Sequence, residues 1–550
     1  MKRCWSSFGQ SPIQCRFWPC IASLVLAIVL LQLLHIALLS HLENRENLRN
    51  LQLDSSPLLS RRAVLAAAAS VGRQLQGRTL DTVLAEMEER VRGAHRLDKS
   101  GTYLLLDNFL PSELTIRGQG PFDVSLVTQC TSSKLSNIWD LTASWEGPVS
   151  VAIFTWDDDF LMAASRLLYI HFCNEHVLRN VSFHLVYPIS RSPRHQHLAA
   201  LSRLKLDCPS TSAGRDLDPI FIDQSFENYA NRGKELAYPN NLLRNFAINY
   251  VQTPYVFVTD ADMIPSEGLR TKFQRFMSSF SLVPPSLSKS PSLFLAKDTN
   301  EAKRNMLIEK LTHGKDNLLA FVVPAFELDT SARVPSKKSE LLEFWDKGQV
   351  RPFYWDVCSR CQEDTNYDRW RTLVSSDIGH EHDSQSTSEV AIGYTVDYKD
   401  PWEPFYIASK SLPLYDERFK QYGFNRISQV CEMHIAGFTF HVLDNAFLVH
   451  MGFKKQNSFH SDKDAENDRN RLLFRKYKEE LKVKYPNVTR SLLPDSAIFR
   501  QVEDLRSAFT KNFRSYRFIA CALKLSPLAE ASCASFSSTS LEQAFMRTAL

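Results

Sequence analysis

Asp260 and Asp262 stand one residue apart, after the run Tyr255-Val-Phe-Val-Thr and before Met-Ile-Pro-Ser-Glu-Gly268. Two carboxylates at that spacing can reach one divalent cation. A hard cation held by oxygen ligands neutralises the charge that develops on a diphosphate as it leaves a sugar. Short acidic pairs also sit on solvated loops, so the spacing alone is a weak signal. The β-branched and aromatic residues ahead of the pair read as a buried strand, and Pro-Ser-Glu-Gly reads as its loop. The acids then fall at a strand's carboxyl end, where open α/β sheets bind ligands.

Four other groups of residues could share that chemistry. Phe447-Leu-Val-His-Met-Gly-Phe453 puts His450 at the end of a strand-like run, where its imidazole either completes an Asp-Asp-His site or serves as a satisfied core histidine. An O/O/N donor set suits manganese better than magnesium or calcium. In Ala237 to Asn245, Pro239 can open a helix whose apolar face is Leu242, Leu243, Phe246, Ala247 and Tyr250. Asn240, Asn241 and Arg244 share the other side, either as a clamp on phosphate or sugar oxygens or as a solvated face. Asp400-Pro-Trp-Glu-Pro-Phe-Tyr406 offers Trp402 for stacking on a sugar, and Asp400 and Glu403 to accept a proton. Cys358-x-x-Cys361 and Cys431-x-x-His434 have the ligand count of tetrahedral zinc, against which a local Cys358–Cys361 disulfide competes.

The elements that must position these residues begin near residue 121. From there to about 495 the chain alternates strand-like and helix-like segments, which predicts an α/β domain on a mixed, mainly parallel sheet. Polar, Ser-rich stretches at about 275–318 and 374–390 read as surface insertions, and 496–550 as a tail of undetermined structure. Residues 43–120 read as a stem. Leu80, Leu84, Met87 and Val91 within it fit either a short coiled coil or one amphipathic helix docked on the body.

Lys2, Arg3 and Arg16 precede an almost uncharged stretch, so 1–16 reads as a cytoplasmic tail and 17–42 as a transmembrane signal anchor. A cleaved signal peptide is the rival, but the apolar core is long for one. The acceptor sequons at Asn180 and Asn487 fit a secretory route. A net charge of +4 over 550 residues, with no basic stripe, gives no electrostatic footprint for nucleic acid.

The segments Ser144 to Pro148, Ala237 to Asn245, Asp260 to Gly268, Arg351 to Tyr354, Asp400 to Tyr406, Gln421 to Ser428 and Phe447 to Lys454 resemble glycosyltransferase family 49, in order, across most of 122–485. The carboxyl-terminal domain of the bifunctional xylosyl- and glucuronyltransferase LARGE is similar too. The resemblance implies a GT-A fold, a single-pass type II protein of the Golgi membrane, and Mn²⁺. It also implies β1,4 transfer of glucuronic acid from UDP-glucuronate to a terminal β-xylose on the O-mannosyl glycan of α-dystroglycan, priming extension by LARGE. Asp260 and Asp262 match the family's metal-binding acids, and His450 takes the place of its later ligand. The two insertions and the tail depart from the pattern. A β-glycoside from an α-linked donor implies inversion and a carboxylate base. Glu403 is preferred, with Asp400, Asp416, Glu417 and Glu432 as alternatives, while Arg244, Arg426 and Lys454 are candidates to bind the glucuronate carboxylate. Two other readings stay open: a β-1,3-N-acetylglucosaminyltransferase using UDP-N-acetylglucosamine, and a non-catalytic Golgi scaffold for other transferases.

Overall fold

The computed structural model describes residues 79–93, 95–113, 120–206, 208, 237–281, 318–373, 389–456 and 459–486, all within one compact unit, Gln74–Leu550. The tail 1–16, the anchor 17–42, Asn487, the tail 496–550 and most of both insertions lie outside the described residues. Among the described residues no helix is long and apolar enough to cross a membrane.

Runs of Val, Ile, Leu and aromatic residues form the strands, since side chains branched at Cβ fit a pleated surface buried on both faces. They are β1 (Arg96–Leu97), β2 (Tyr103–Leu110), β3 (Val124–Thr131), β4 (Val149–Phe154), β5 (Val181–Pro188), β6 (Tyr255–Val258), β7 (Met263–Pro265), β8 (Leu319–Val323), β9 (Ala325–Leu328), β10 (Val350–Pro352), β11 (Ala391–Val396), β12 (Phe405–Ser409), β13 (Thr439–Asp444) and β14 (Leu448–Met451). Ten form one sheet in the order β1-β2-β5-β4-β3-β6-β12-β8-β13-β11, and four form a second in the order β10-β9-β14-β7.

The large sheet is mixed, and the expectation that it is mainly parallel is corrected. Its β5–β4, β4–β3, β3–β6 and β8–β13 pairs are parallel, while the other five pairs are antiparallel. Helical crossovers link the parallel half, including helix Asn240–Tyr250, whose Leu243, Phe246 and Ala247 join the core cluster that also holds Val127 of β3 and Ala152 of β4. After β6 the chain stops making such crossovers, and β12 enters antiparallel between β6 and β8.

Three neighbouring segments then leave the large sheet for the small one. β6 passes to β7 through 259–262, β8 to β9 through Pro324 alone, and β13 to β14 through 445–447. The Asp-x-Asp pair sits in the first of these switches.

The expected stem at 43–120 is corrected where it is described. Helix Leu80–Arg92, capped by the Thr79 side chain on the Thr82 N–H, buries Val83, Leu84, Met87 and Val91, and Arg90 donates to the Phe109 carbonyl at 2.9 Å. Burying four such side chains stabilises the contact by roughly 2 kcal/mol each. With β1 and β2 forming the edge of the large sheet, residues 80–110 are part of the domain.

Candidate active site

The turn 259–262 is closed by the Met263 N–H donating to the Asp260 carbonyl at 3.1 Å. In the small sheet, antiparallel β14 sets His450 opposite Met263. That register brings the histidine beside Asp262 although the two lie 188 positions apart in the chain (450 − 262). His450 Nε2 lies 3.2 Å from Asp262 Oδ2, and Lys454 Nζ lies 3.4 Å from the same oxygen. His450 Nδ1 donates to the Gly452 carbonyl at 2.9 Å, which fixes the ring and leaves Nε2 facing the carboxylate. Gly452 needs its own residue type, because its φ of 89° lies in the left-handed region. Burial works to raise the Asp262 carboxyl, but the His450 hydrogen bond and the Lys454 charge hold it well below the usual carboxylate range.

Asp260 faces the other way. Arg244 of helix Asn240–Tyr250 donates to its Oδ1 at 2.9 Å, and Arg426, from helix Asn425–Ile435, to its Oδ2 at 2.9 Å. Both arginines are buried. Arg426 stacks with its guanidinium carbon 3.9 Å from the Phe405 ring centroid, and Arg244 lies 5.4 Å from that of Tyr415. Burial works to raise Asp260, and the Arg426 and Arg244 charges outweigh it and lower the carboxyl.

The three expected ligands, Asp260, Asp262 and His450, are thus arranged as a pair, Asp262 with His450, and a separate Asp260 held by arginines. Among the described residues no group of three or more His, Cys, Asp or Glu side chains converges as a metal site, and both Asp260 oxygens accept from arginines. The Asp262–His450 pair still fits one ion. Two ligands at right angles, each about 2.1 Å from a metal, stand about 3 Å apart, close to the observed 3.2 Å. The carboxylate and imidazole donors suit manganese.

Glu403 lies ahead of β12, and its backbone is gripped on both sides. Its N–H donates to the Cys361 carbonyl at 2.9 Å, and its carbonyl accepts from Gln362 Nε2 at 3.2 Å. Burial pushes its carboxyl up to about 7, with Arg426 opposing and Asp260 reinforcing. A carboxyl poised near neutrality beside the Asp260 cluster has the property a general base needs.

Several expected site residues do structural work instead. Trp402 is fully buried, its indole N–H donating to Thr365 Oγ1 at 3.0 Å and its ring set edge-on to Phe440, so no face is free for a sugar. Asp400 pairs with Lys478 at 3.0 Å. Asn241 is buried and spends its amide on the Asp416 and Asn425 carbonyls and its oxygen on Arg244. Asn240 opens the helix, and its buried Oδ1 has no hydrogen-bond partner among the described residues. Asp416 is bound by Arg418, Glu417 by Asn245, and Glu432 by Tyr477, Lys484 and Tyr485. The sequon residue Asn180 is not one of these: it ends helix Glu175–Asn180, its side-chain amide donating to the His176 carbonyl in an exposed hydrogen bond.

Zinc at Cys358, Cys361, Cys431 and His434 is excluded by connectivity. Cys358 and Cys361 form a disulfide, Cys431 is a buried free thiol, and His434 stacks on Tyr398. A second disulfide joins Cys173 to Cys208.

Glu327 carries little sequence signal, unlike Arg351 and Tyr354, which lie in a segment of the family resemblance. Glu327, in register beside His450 on β9, is fully buried and accepts from Arg351 Nε at 2.8 Å and from the Tyr354 N–H at 3.0 Å. Arg351 also donates to the Lys454 carbonyl at 2.9 Å, holding the loop that presents Lys454. A lone acid in the apolar run Ala325–Leu328 is the clue. Tyr354 has a φ of 61°, and its hydroxyl is raised well above the ordinary tyrosine range, first by burial and then by surrounding acids and Tyr422.

Residues 123–486 match the family described as "Glycosyl-transferase for dystroglycan". The chain belongs to this glycosyltransferase family. It is 37% identical to "Beta-1,4-glucuronyltransferase 1" of Danio rerio over 401 residues, which cover 72% of this chain and 82% of the relative. It is 25% identical to "Xylosyl- and glucuronyltransferase LARGE1" of Homo sapiens over 360 residues, 65% of this chain and 34% of that longer protein. Among solved structures, S. aureus TarS 1-349 in complex with UDP is 10% identical with a TM-score of 0.29, covering 74% of this chain and 77% of that one.

Proposed function

We propose that this glycosyltransferase moves glucuronic acid from UDP-glucuronate to a terminal β-xylose in β1,4 linkage, with inversion, on the O-mannosyl glycan of α-dystroglycan. On this reading its product is extended by LARGE, its fold is of the GT-A type, and it works as a single-pass type II protein in the Golgi membrane. The names of its relatives support the donor and linkage. The apolar stretch 17–42 and the sequon at Asn180 support the compartment.

One observation carries the chemistry: a carboxylate–imidazole pair 3.2 Å apart, with Tyr354 under the charges of both Asp262 and Glu403, the latter a carboxyl raised to about 7. Asp262 and His450 would hold Mn²⁺, whose charge would offset that building on the departing UDP. Glu403, as the carboxylate, takes the proton of the attacking acceptor hydroxyl. Arg244 and Arg426 keep Asp260 in one rotamer and set the positive potential in which Glu403 titrates. Lys454 adds a cation on the side where diphosphate charge develops.

The test is transfer by the purified full-length chain from UDP-glucuronate to methyl β-D-xyloside, with Mn²⁺ and with chelator. Glucuronide formation that requires metal is expected. Transfer from UDP-N-acetylglucosamine alone would replace the donor assignment. No transfer from any UDP-sugar, with no rise in melting temperature from UDP and Mn²⁺, would leave the scaffold reading.

A further inference from the structure

Trp402 was expected to offer a sugar-stacking face, and three rings elsewhere offer one instead. Tyr354, Tyr422 and Phe459 converge from separate segments. The Phe459 centroid lies 6.4 Å from that of Tyr354 and 5.2 Å from that of Tyr422, and the two tyrosine side chains hydrogen-bond to each other. Each of the three residues is partly exposed, although burial still raises the Tyr354 hydroxyl. Trp355, next to Tyr354, is 52% exposed.

The rings are held firmly. The Tyr422 N–H donates to Glu466 Oε2 at 3.0 Å and its carbonyl accepts from Asn470 Nδ2 at 2.8 Å, both residues being buried on helix Lys463–Lys484. Lys463 Nζ sits 3.8 Å from the Phe459 centroid and 5.0 Å from that of Tyr422. Fixed, partly exposed rings lose little conformational freedom when a ligand covers them.

They also adjoin the reaction centre. Phe353, joined directly to Tyr354, has its ring 5.9 Å from His450 and 5.8 Å from Phe405. The charge of Glu403 acts on both tyrosine hydroxyls, and those of Asp260 and Asp262 act on Tyr354. Lys463 borders the same rings, so acids and a cation both face an occupant, and the rings themselves set its class: a pyranose has an apolar C–H face for them and hydroxyls for the phenols.

We propose that Tyr354, Tyr422 and Phe459, with Trp355 at the outer edge, line the acceptor subsite as walls, Phe459 standing at 62° to Tyr354 and 66° to Tyr422, so that a pyranose packs its C–H face against one ring with its reacting hydroxyl toward Glu403. The inference rests on the transferase reading above, and its test separates the two. Phe459→Ala and Trp355→Ala are compared with wild type in transfer to methyl β-D-xyloside and by saturation-transfer NMR of that xyloside with aromatic irradiation.

In Phe459→Ala the acceptor KM rises by about three- to tenfold, the effect of one stacked ring. The KM for UDP-glucuronate and the melting temperature hold, and the ratio of transfer to donor hydrolysis falls. Trp355→Ala shows a smaller change in the same direction. The NMR signal of the xyloside C–H protons drops in both variants. An unchanged acceptor KM and NMR signal in Phe459→Ala, or a rise in donor and acceptor KM together, overturns the subsite. If the wild type fails to turn over UDP-glucuronate, the donor assignment fails by itself, and the NMR comparison still decides the subsite.

Discussion

Asp260 and Asp262 are one residue apart, yet they belong to opposite sides of the site. On the Asp260 side, two buried arginines from two helices close 2.9 Å hydrogen bonds on both carboxylate oxygens, and aromatic rings pack on the guanidiniums. On the Asp262 side, a histidine from the small sheet and a lysine from the loop after it approach a single oxygen at 3.2 and 3.4 Å. The first arrangement is saturated. The second retains capacity for a further cation. The pair therefore divides its labour, one carboxylate holding architecture and the other open to a ligand, and spacing alone assigns neither role.

Removing the cation-accepting side is expected to have the largest effect. Asp262→Asn should lower transfer by roughly a thousandfold, several kcal/mol of lost charge stabilisation, while costing stability only about 1 kcal/mol through loss of the His450 and Lys454 contacts. Turnover measured against Mn²⁺ concentration, with a thermal melt alongside, checks both halves. Retained turnover would break the contrast.

Glu403→Gln comes next, with an expected loss of about a hundredfold or more from removing a general base. The pH profile sharpens the point. With a carboxyl raised to about 7, the base form grows as pH rises through 7, so wild-type turnover falls toward tenfold per unit on the acid side, and the variant loses that limb. Stability moves with the opposite sign. The folded state holds this proton more tightly than the unfolded chain, so its contribution is complete below about 4.5 and is lost as pH rises through about 7.

On the architectural side, Arg426→Ala strips one partner from a buried pair and should destabilise the fold by about 3 kcal/mol, read by denaturant melts. Asp262→Asn should cost much less. The smallest expected change separates two tryptophans. Trp402→Ala should cost about 3 to 5 kcal/mol as a core truncation, and Trp355→Ala less than about 0.5 kcal/mol.

Much of the site's chemistry was legible in the chain. The hydrophobic run ending at Thr259 marked β6, and the acids at its end did fall at a strand's carboxyl edge. The helix carrying Arg244 followed from Pro239 and its apolar spacing. The family likeness that those motifs suggested is borne out by the comparisons. Trp402 was misread because Asp-Pro-Trp-Glu-Pro looks like an exposed loop locally, while burial depends on Thr365 and Phe440, which arrive from distant segments. The mainly parallel sheet was misread because alternating elements suggest crossovers and cannot show that β12 inserts antiparallel between β6 and β8.

By itself the sequence determined the elements, the identities of the charged groups and the family, because periodicity, turn residues and side-chain chemistry are local properties of a chain. Only the tertiary structure decided that Asp262 meets His450 while Asp260 meets arginines, that Cys358 and Cys361 close on each other, and that Glu403 sits where its proton is held to about 7. Those outcomes depend on strand register across two sheets and on which groups exclude water from one another, and both are set by contacts between residues far apart in the chain.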